Sequence, residues 1–164
     1  MKILILSDSH SGLSFMRDAI GQVKPDAVVH LGDFYEDAEA MASEFFHIPF
    51  HMVGGNCDQF GSSGKKIERL CYDVCGVRLL MVHGHNENVK RELNTLRSFA
   101  RKENAQAALF GHTHSAYCAL DDGCWMVNPG ACGSFSGSVA VIETDDHEIK
   151  SCRILRQADL EGLK

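Results

Sequence analysis

The sequence predicts an α/β fold in which two packed, mixed β-sheets are flanked by helices. Two observations lead to this prediction. Apolar runs and segments of helical periodicity alternate through the first half of the chain, and strand patterns follow one another near its end. The chain has 164 residues, which favours a single domain over residues 1–164. A domain of this size buries about two-thirds of the surface that its unfolded chain exposes, so its core needs no disulfide or metal.

Strands and helices alternate in the first half. Continuous apolar runs predict strands buried on both faces, and apolar residues at three- and four-residue spacing predict helices. In chain order the sequence predicts a strand at Ile3–Leu6, a helix containing Met16, Ala19, Ile20 and Val23, a strand at Ala27–Leu31, a helix at Asp37–Phe46 and a strand at Phe50–Val53. The Gly/Ser stretch from Phe60 to Gly64 is expected to be a mobile loop.

The second half is richer in strands. A hairpin is predicted from Glu68–Val74 and Val77–Val82, and an amphipathic helix from Val89, Leu93, Leu96 and Ala100, with Asn86 or Asn88 as its N-cap. This apolar stripe is interpreted as core. Further strands are predicted at Ala107–Phe110, Tyr117–Leu120, Trp125–Val127, Val139–Glu143 and Glu148–Leu155, with a hairpin turn at Asp121-Asp122-Gly123.

Charge and cysteine content limit the classes of function. The formal net charge of −6 argues against a surface that wraps nucleic acid, although a nucleotide substrate stays open because bound metals invert the charge of an acidic site. Seven cysteines, an odd number without a CxxC pair, indicate reduced thiols. The apolar start is too short for a signal peptide, and no apolar run approaches membrane-spanning length. A cytoplasmic location without membrane contact is expected.

Five predicted strands are each followed by residue types that bind metals. A Gly-Asp pair is common in turns, and a lone His is more often structural than a ligand, so each cluster alone is a weak signal. Because ligands gather outside the carboxyl ends of strands in open α/β sheets, the clusters are expected to meet in one place. Glycines in four of them allow sharp turns and close approach to an ion. The clusters are Ser7-Asp8-Ser9-His10, Leu31-Gly32-Asp33, Gly54-Gly55-Asn56-Cys57-Asp58, His83-Gly84-His85 and Phe110-Gly111-His112-Thr113-His114.

The ordered pattern Asp-x-His, Gly-Asp, Gly-Asn-x-Asp, His, Gly-His-x-His runs from Asp8 to His114. It resembles the signature of calcineurin-like metallophosphoesterases, and the short length and Gly-Asn-Cys-Asp sequence are most similar to the small YfcE-like subfamily. The resemblance implies two divalent metal ions. One would be held by Asp8, His10 and His114, the other by Asn56, His83 and His112, with Asp33 bridging both. Mixed carboxylate, imidazole and amide ligands favour manganese, with iron, zinc, nickel or magnesium as alternatives.

The same resemblance implies a metal-dependent phosphoesterase, foremost a phosphodiesterase acting on a small phosphoester. A hydroxide formed between the two metals would attack phosphorus in line with the leaving oxygen. No covalent intermediate is needed, so the hydroxyls of Ser7 and Ser9 are expected to order the loop rather than to act as nucleophiles. The alternative is a protein-binding scaffold of the same fold with impaired catalysis, as in the retromer subunit. The family also leaves a homo-oligomer open.

Several residues around the expected ligands have two interpretations. Many family members carry His where this chain has Cys57, and a thiol is a weak donor, so Cys57 is either a doubtful general acid or a small buried residue. Asp58 would orient a neighbouring ligand. We expect His83 rather than His85 to be the ligand, with His85 contacting substrate phosphate or solvent. The catalytic candidates are therefore Asn56, Cys57, Asp58 and His85.

Other polar residues lie off the main pattern. Asn128-Pro129-Gly130 resembles a family loop whose backbone amides contact the substrate, and it also fits an ordinary turn. The remaining histidines are expected to be structural. They are His30, His47, His51 and His147.

Overall fold

Ten strands form two five-stranded sheets in the described residues, 1–60, 66–133 and 137–162 of a computed structural model. The strands are β1 Lys2–Leu6, β2 Ala27–His30, β3 Phe50–Met52, β4 Arg69–Val74, β5 Val77–Val82, β6 Ala107–Leu109, β7 Tyr117–Asp121, β8 Cys124–Asn128, β9 Ser138–Asp145 and β10 Glu148–Arg156. The helices are α1 Leu13–Val23, α2 Tyr35–Glu44, α3 Asn94–Lys102 and α4 Gln157–Glu161, and a 3-10 helix covers Asn56–Phe60. The strand orders are β10-β9-β1-β2-β3 and β4-β5-β6-β8-β7.

The core has three layers because alternate side chains of each strand face opposite sides of its sheet. One apolar cluster lies between the sheets and includes Ile5 of the first and Leu79 of the second. A second joins Leu4 and its neighbours to α1, and a third joins Leu80 and its neighbours to α3. The central strands are thus buried on both faces, which explains their continuous apolar sequences. The predicted fold class, two mixed sheets flanked by helices, is confirmed.

Parallel strands bring the five clusters together. In the first sheet β1 is parallel to β2 and β2 to β3, and in the second β5 is parallel to β6. The loops after these strands are joined by backbone hydrogen bonds within each sheet. Asp8 N–H donates to Gly32 O at 3.0 Å, and Gly111 N–H donates to His83 O at 2.9 Å. The ligand-bearing loops therefore share one end of each sheet.

The predicted N-cap of the helix that follows β5 is wrong. Neither Asn86 nor Asn88 caps it, because α3 begins at Asn94 and residues 85–91 form successive turns. The cause lies at Asn88, whose φ of 59° is incompatible with a continuing right-handed helix. The apolar stripe itself is core, as predicted: Val89, Leu96 and Ala100 are buried against the second sheet.

Other boundaries differ in smaller ways. Helix α2 begins at Tyr35, two residues before the predicted start, and the short helix α4 was not predicted. The hairpin turn at Asp122 and Gly123 is confirmed, and both residues have the positive φ that a type I′ turn requires. Most of the Gly/Ser stretch, residues 61–64, lies outside the described residues. No helix within the described ranges is long and apolar enough to cross a membrane.

Candidate metal centre

Four expected ligands converge where the loops after β1, β2 and β6 meet. One donor atom from each of Asp8, His10, Asp33 and His114 lies within 4.8 Å of those of the other three. His114 Nε2 is 3.0 Å from Asp8 Oδ1, and the His10 and His114 rings have centroids 5.3 Å apart. The two carboxylates are buried and the two imidazoles are exposed. The carboxylates therefore lie at the buried side of the group, and the imidazoles lie at its solvent-exposed side.

The remaining expected ligands lie on the other side of Asp33. His83 Nε2 is 3.1 Å from Asn56 Oδ1 and 3.5 Å from Asp33 Oδ2. The His83 and His112 rings have centroids 5.0 Å apart. Asp33 thus stands between two groups of donors, as a bridging carboxylate must.

A backbone carbonyl fixes the tautomer of His83. Its Nδ1 lies 2.8 Å from Leu31 O, which can only accept, so Nδ1 carries a proton. In the neutral ring Nε2 then presents a lone pair toward Asn56 and Asp33, the orientation that a metal-binding imidazole requires. His85, the competing candidate, has its ring centroid 5.5 Å from that of His83 and 6.2 Å from that of His112. The geometry favours His83 as the ligand and leaves His85 at the edge.

Backbone strain is concentrated at these positions. Five of the seven expected ligands have positive φ angles: Asp8 53°, His10 42°, Asp33 57°, His112 65° and His114 57°. Positive φ is uncommon for residues other than glycine, and such strain clusters at functional sites, where the surrounding structure holds it in place. The strained residues supply ligands to both groups of donors, Asp8, His10 and His114 on one side of Asp33 and His112 on the other.

Asp58 holds two ligand loops together, in line with its expected orienting role. Its carboxylate accepts backbone hydrogen bonds from Asp33, Tyr35 and Gly55 at 2.9, 2.8 and 2.7 Å. These donors belong to the loops after β2 and β3. The Cys57 N–H in turn donates to Asp33 Oδ1 at 2.8 Å. The segment around Asn56 therefore positions Asp33.

Sequence reasoning missed a second carboxylate of this kind. Asp37 Oδ2 accepts hydrogen bonds from Ser9 Oγ and from Ser11 N–H, both at 2.8 Å. Ser7 Oγ donates to Asp8 Oδ2 at 2.5 Å. Ser7 and Ser9 are buried and order the loop, which supports the expectation that neither is a nucleophile. The available signal for Asp37 was its position among the acidic residues that open α2.

The Asn128-Pro129-Gly130 loop contacts the loop after β6, which carries two of the expected ligands. Asn128 Nδ2 donates to Gly111 O at 2.9 Å and to Thr113 Oγ1 at 3.0 Å. The Asn128 Oδ1 accepts the Gly130 N–H at 2.9 Å, so the backbone N–H of Gly130 is already hydrogen-bonded within the loop. The side chain of Asn128 therefore orients the loop that carries His112 and His114.

Two glycines leave room for the carboxylates. A Cβ on Gly55 would collide with Asp33 Oδ1, and a Cβ on Gly111 would collide with Ser7 Oγ and lie 2.8 Å from Asp8 Oδ2. No other residue fits these positions without moving a ligand. Asp8 Oδ1 is buried and forms no hydrogen bond of acceptable geometry among the described residues, although His114 Nε2 lies close to it. This donor set and its unsatisfied oxygen suit a hard or borderline divalent cation.

Burial and neighbouring charge shift several pKa values. Burial alone would raise the pKa of Asp33, but His83 and the hydrogen bonds from Cys57 lower it below its usual value. Burial and His83 lower the pKa of His112 to about 4, which favours the neutral ring that binds metals. Burial, assisted by the hydrogen bond with Asp33, raises the pKa of the exposed Cys57 thiol to about 11. Cys57 is therefore protonated at neutral pH, and it is not the buried residue of the alternative interpretation.

The four off-pattern histidines are absent from the group of converging donors, although His30 lies beside the loop that carries Asp33. His30 is fully buried, and its Nδ1 accepts the Gly32 N–H at 3.3 Å. His51 Nδ1 pairs with Tyr72 Oη at 2.8 Å, and His147 Nδ1 with Gly76 O at 3.2 Å. His47 is exposed after α2. His30, His51 and His147 thus contact protein groups outside the expected ligand set, and their structural role stays a prediction, as does that of His47.

The structure thus combines a two-sheet α/β fold with a buried aspartate between two groups of candidate metal donors, which is consistent with a phosphoesterase. The chain belongs to the calcineurin-like phosphoesterase superfamily: residues 1–147 match the domain of that superfamily. The probable metallophosphoesterase YsnB of Bacillus subtilis is 31% identical over 134 residues, covering 80% of this chain and 75% of YsnB.

A further relative and a solved structure are also similar to this chain. The phosphodiesterase MJ0936 of Methanocaldococcus jannaschii is 24% identical over 169 residues, covering 93% of this chain and 97% of MJ0936. The structure of wild-type Vps29 with zinc from Entamoeba histolytica superposes with a TM-score of 0.73 at 17% identity, covering 95% of this chain and 98% of Vps29. These proteins differ in their named roles, so the catalytic assignment depends on the site.

Proposed function

We propose that the chain is a phosphodiesterase that hydrolyses a small phosphoester with two divalent metal ions, manganese being the favoured metal. The observation that carries the proposal is the position of Asp33. Its carboxylate lies 3.5 Å from His83 Nε2 and within 4.8 Å of donors from Asp8, His10 and His114. The names of the similar proteins, probable metallophosphoesterase for YsnB and phosphodiesterase for MJ0936, support phosphoester hydrolysis.

Each side chain has a role in this proposal. Asp8, His10 and His114 would hold one ion, Asn56, His83 and His112 would hold the other, and Asp33 would contact both. When bound, such a pair supplies a water of lowered pKa and neutralises charge on the phosphoryl oxygens. The chain's own contribution is rigidity, because Asp37, Asp58 and Asn128 hold the ligand loops through hydrogen bonds.

Cys57 and His85 lie at the rim of the centre. We assign His85 to contact with a phosphoryl oxygen, because its ring lies beside those of His83 and His112. Cys57 is exposed next to Asn56, whose Nδ2 lies 3.5 Å from Cys57 Sγ. A thiol with a pKa near 11 is a poor proton donor at neutral pH. The chain should therefore prefer esters with good leaving groups.

The test is hydrolysis of bis(p-nitrophenyl) phosphate and p-nitrophenyl phosphate by protein loaded with Mn²⁺. The proposal predicts turnover of the diester, its loss after chelation, and its recovery when Mn²⁺ is returned. No turnover of either ester with Mn²⁺, Fe²⁺, Zn²⁺, Ni²⁺ or Mg²⁺ would contradict it.

A scaffold of the same fold is the second candidate. The likeness to Vps29, named for vacuolar protein sorting rather than for ester hydrolysis, is the observation in its favour. The complete set of seven competent ligand residues favours the enzyme. Metal binding without turnover of any phosphoester would favour the scaffold.

A further inference from the structure

A pocket of about 120 Å³ lies next to the candidate metal centre. Its walls are Phe34, Tyr35, Glu36, Cys57, Asp58 and Lys66. Phe34 directly follows the bridging Asp33, and Cys57 directly follows Asn56. A substrate whose phosphoryl group reaches the metals would therefore place one ester group near this pocket.

The pocket has two aromatic walls. Phe34 has a φ of 66°, a genuine outlier for a bulky residue, and 40% of it is exposed. Its ring meets the ring of His10 edge-on, with centroids 4.9 Å apart. A strained backbone therefore holds an apolar ring in solvent beside an expected metal ligand. Such strain at a site's edge indicates a functional constraint.

The charges in the pocket disfavour a second anionic group. The Lys66 ammonium lies 4.2 Å from the centroid of the Tyr35 ring and 3.6 Å from Glu39 Oε1, so its charge is already engaged. The other charged wall residues among those that the structure describes, Glu36 and Asp58, are carboxylates. These walls therefore offer a further phosphate no unengaged cation, whereas an uncharged aromatic ring can stack on Phe34.

We propose that this pocket binds an uncharged aromatic ring, an aryl group or a nucleobase, carried by the phosphoester substrate. The inference builds on the proposed function and assigns Phe34 as a residue that determines substrate specificity.

The experiment compares phenylphosphonate with methylphosphonate, two ligands with the same metal-binding group and different side groups. Calorimetric titration of the Mn²⁺-loaded protein measures both without requiring turnover. We expect phenylphosphonate to bind about tenfold more tightly. Phe34→Ala should reduce this preference to about twofold, and Phe34→Tyr should keep it. Phe46→Ala is the matched control, because Phe46 is 85% exposed and belongs to no wall of the pocket.

Two outcomes would overturn the inference. One is equal affinity of the wild-type protein for both phosphonates. The other is a phenyl preference that survives Phe34→Ala undiminished in protein that still binds Mn²⁺. Either result can occur in a protein that hydrolyses the diester, so this inference can fail while the proposed function stands.

A separate observation concerns two thiols that join the sheets. Cys118 on β7 and Cys152 on β10 belong to the edge strands of different sheets, and their Sγ atoms lie 2.7 Å apart. Both side chains are partly exposed. A small movement would bring the sulfurs to the ~2.05 Å of a disulfide bond.

We infer that Cys118 and Cys152 form a disulfide when the protein meets a low-molecular-weight disulfide such as oxidised glutathione. One deprotonated thiol attacks the reagent and releases a thiolate, and the other then displaces the second glutathione thiolate. Two protein thiols are oxidised, and one glutathione disulfide is reduced to two thiols. Burial raises the pKa of both cysteines, so the reaction should be faster at pH 9 than at pH 7.

Peptide mapping and thiol counting after treatment at pH 9 test this inference. Cys118 and Cys152 should appear in one linked peptide that carries no glutathione, both thiols should be lost from the count, and the melting temperature should rise. Cys118→Ser should abolish the link, whereas Cys71→Ser, at a partly exposed cysteine elsewhere, should retain it. Seven thiols after treatment, or glutathione left on Cys118 with Cys152 free, would overturn the inference.

Discussion

Asp33 is the residue on which the candidate centre depends. It is 3% exposed, accepts the Cys57 N–H and lies between the two groups of expected ligands. Its φ of 57° and the space left by Gly55 fix the direction of its carboxylate. Because these contacts fix the position of the Asp33 carboxylate, we expect no other side chain to replace it as the bridge.

Asp33→Asn should remove activity and metal together. The amide keeps the size of the carboxylate but loses its charge and one of its two oxygens. Loss of a supporting partner costs ~10–100-fold, so loss of the bridge should lower diester turnover by more than ~100-fold. Turnover and metal content of the purified variant measure this, with exposed Asp18→Asn as the control. Near-normal turnover in Asp33→Asn would rule out the bridging role.

His30 predicts a pH dependence of stability. Burial lowers its pKa to about 4 in the folded chain, against an ordinary value of 6.5. Between these two pH values His30 is protonated in the unfolded chain and neutral in the folded chain. The free energy of unfolding therefore falls as the pH falls. For this one group the loss is ~2 kcal/mol between pH 7 and pH 5.

Urea unfolding in the presence of a chelator measures that loss. His30→Asn should lower the pH sensitivity by this amount and leave the metal content of the untreated protein unchanged. The matched variant His47→Asn, at an exposed position, should keep the wild-type sensitivity. Equal pH sensitivity in wild type and His30→Asn would contradict the account of His30, and metal loss would show that it belongs to the ligand set.

At the scale of elements, loops after different strands are held in register by a few carboxylates. Asp58 connects the loop after β2 to the loop after β3 by accepting backbone hydrogen bonds from Asp33 and Tyr35, and it accepts a third from Gly55 within its own loop. Asp58→Asn leaves at least one of these N–H groups without a good acceptor, at a cost of ~1–3 kcal/mol. We expect metal affinity to fall ~10-fold.

Metal titration and urea unfolding of Asp58→Asn test this role together. Asp146→Asn, in the exposed turn between β9 and β10, is the control. If Asp58→Asn bound metal as tightly as the wild type, the linkage between the two loops would be irrelevant to the centre.

Two glycine substitutions separate helix stability from site geometry. A Cβ at Gly21 in α1 meets nothing within 4 Å, so Gly21→Ala should stabilise the protein by ~0.5–1 kcal/mol. A Cβ at Gly111 would press on Ser7 and Asp8, so Gly111→Ala should lower metal content and turnover. Thermal unfolding and metal analysis compare the pair. Full metal content in Gly111→Ala would show that the loop after β6 shifts to make room for the added Cβ.

The elements that sequence predicted correctly carry local signals. Ile3–Leu6 and Val77–Val82 are buried on both faces, so their apolar runs predict strands directly. The ligand clusters stood out because each follows such a run. Asp37 and Asn128 could not be assigned, because their roles consist of contacts with residues distant in sequence. The start of α3 was misplaced because the apolar spacing continues through Val89 and Leu93 although Asn88 breaks the helix.

At the scale of the whole molecule, packing of the two sheets brings together the strand ends that carry the expected ligands. Asp8 and Asp33 come from the first sheet, and His83, His112 and His114 follow strands of the second. Backbone contacts such as Cys132 N–H to Ser7 O at 3.0 Å hold later segments against the first sheet. Packing of the sheets therefore determines the distance between the ligands that follow strands of the first sheet and those that follow strands of the second. This explains why the sequence predicts which residues form the centre but not the distances between them.

The most direct test is a crystal structure of the protein grown with Mn²⁺, with diffraction data collected at the manganese absorption edge. We expect two anomalous peaks ~3.5–4 Å apart, with Asp33 between them. Asp8, His10 and His114 should coordinate one peak, and Asn56, His83 and His112 the other. A single peak, no peak, or a pair bridged by a residue other than Asp33 would contradict this account.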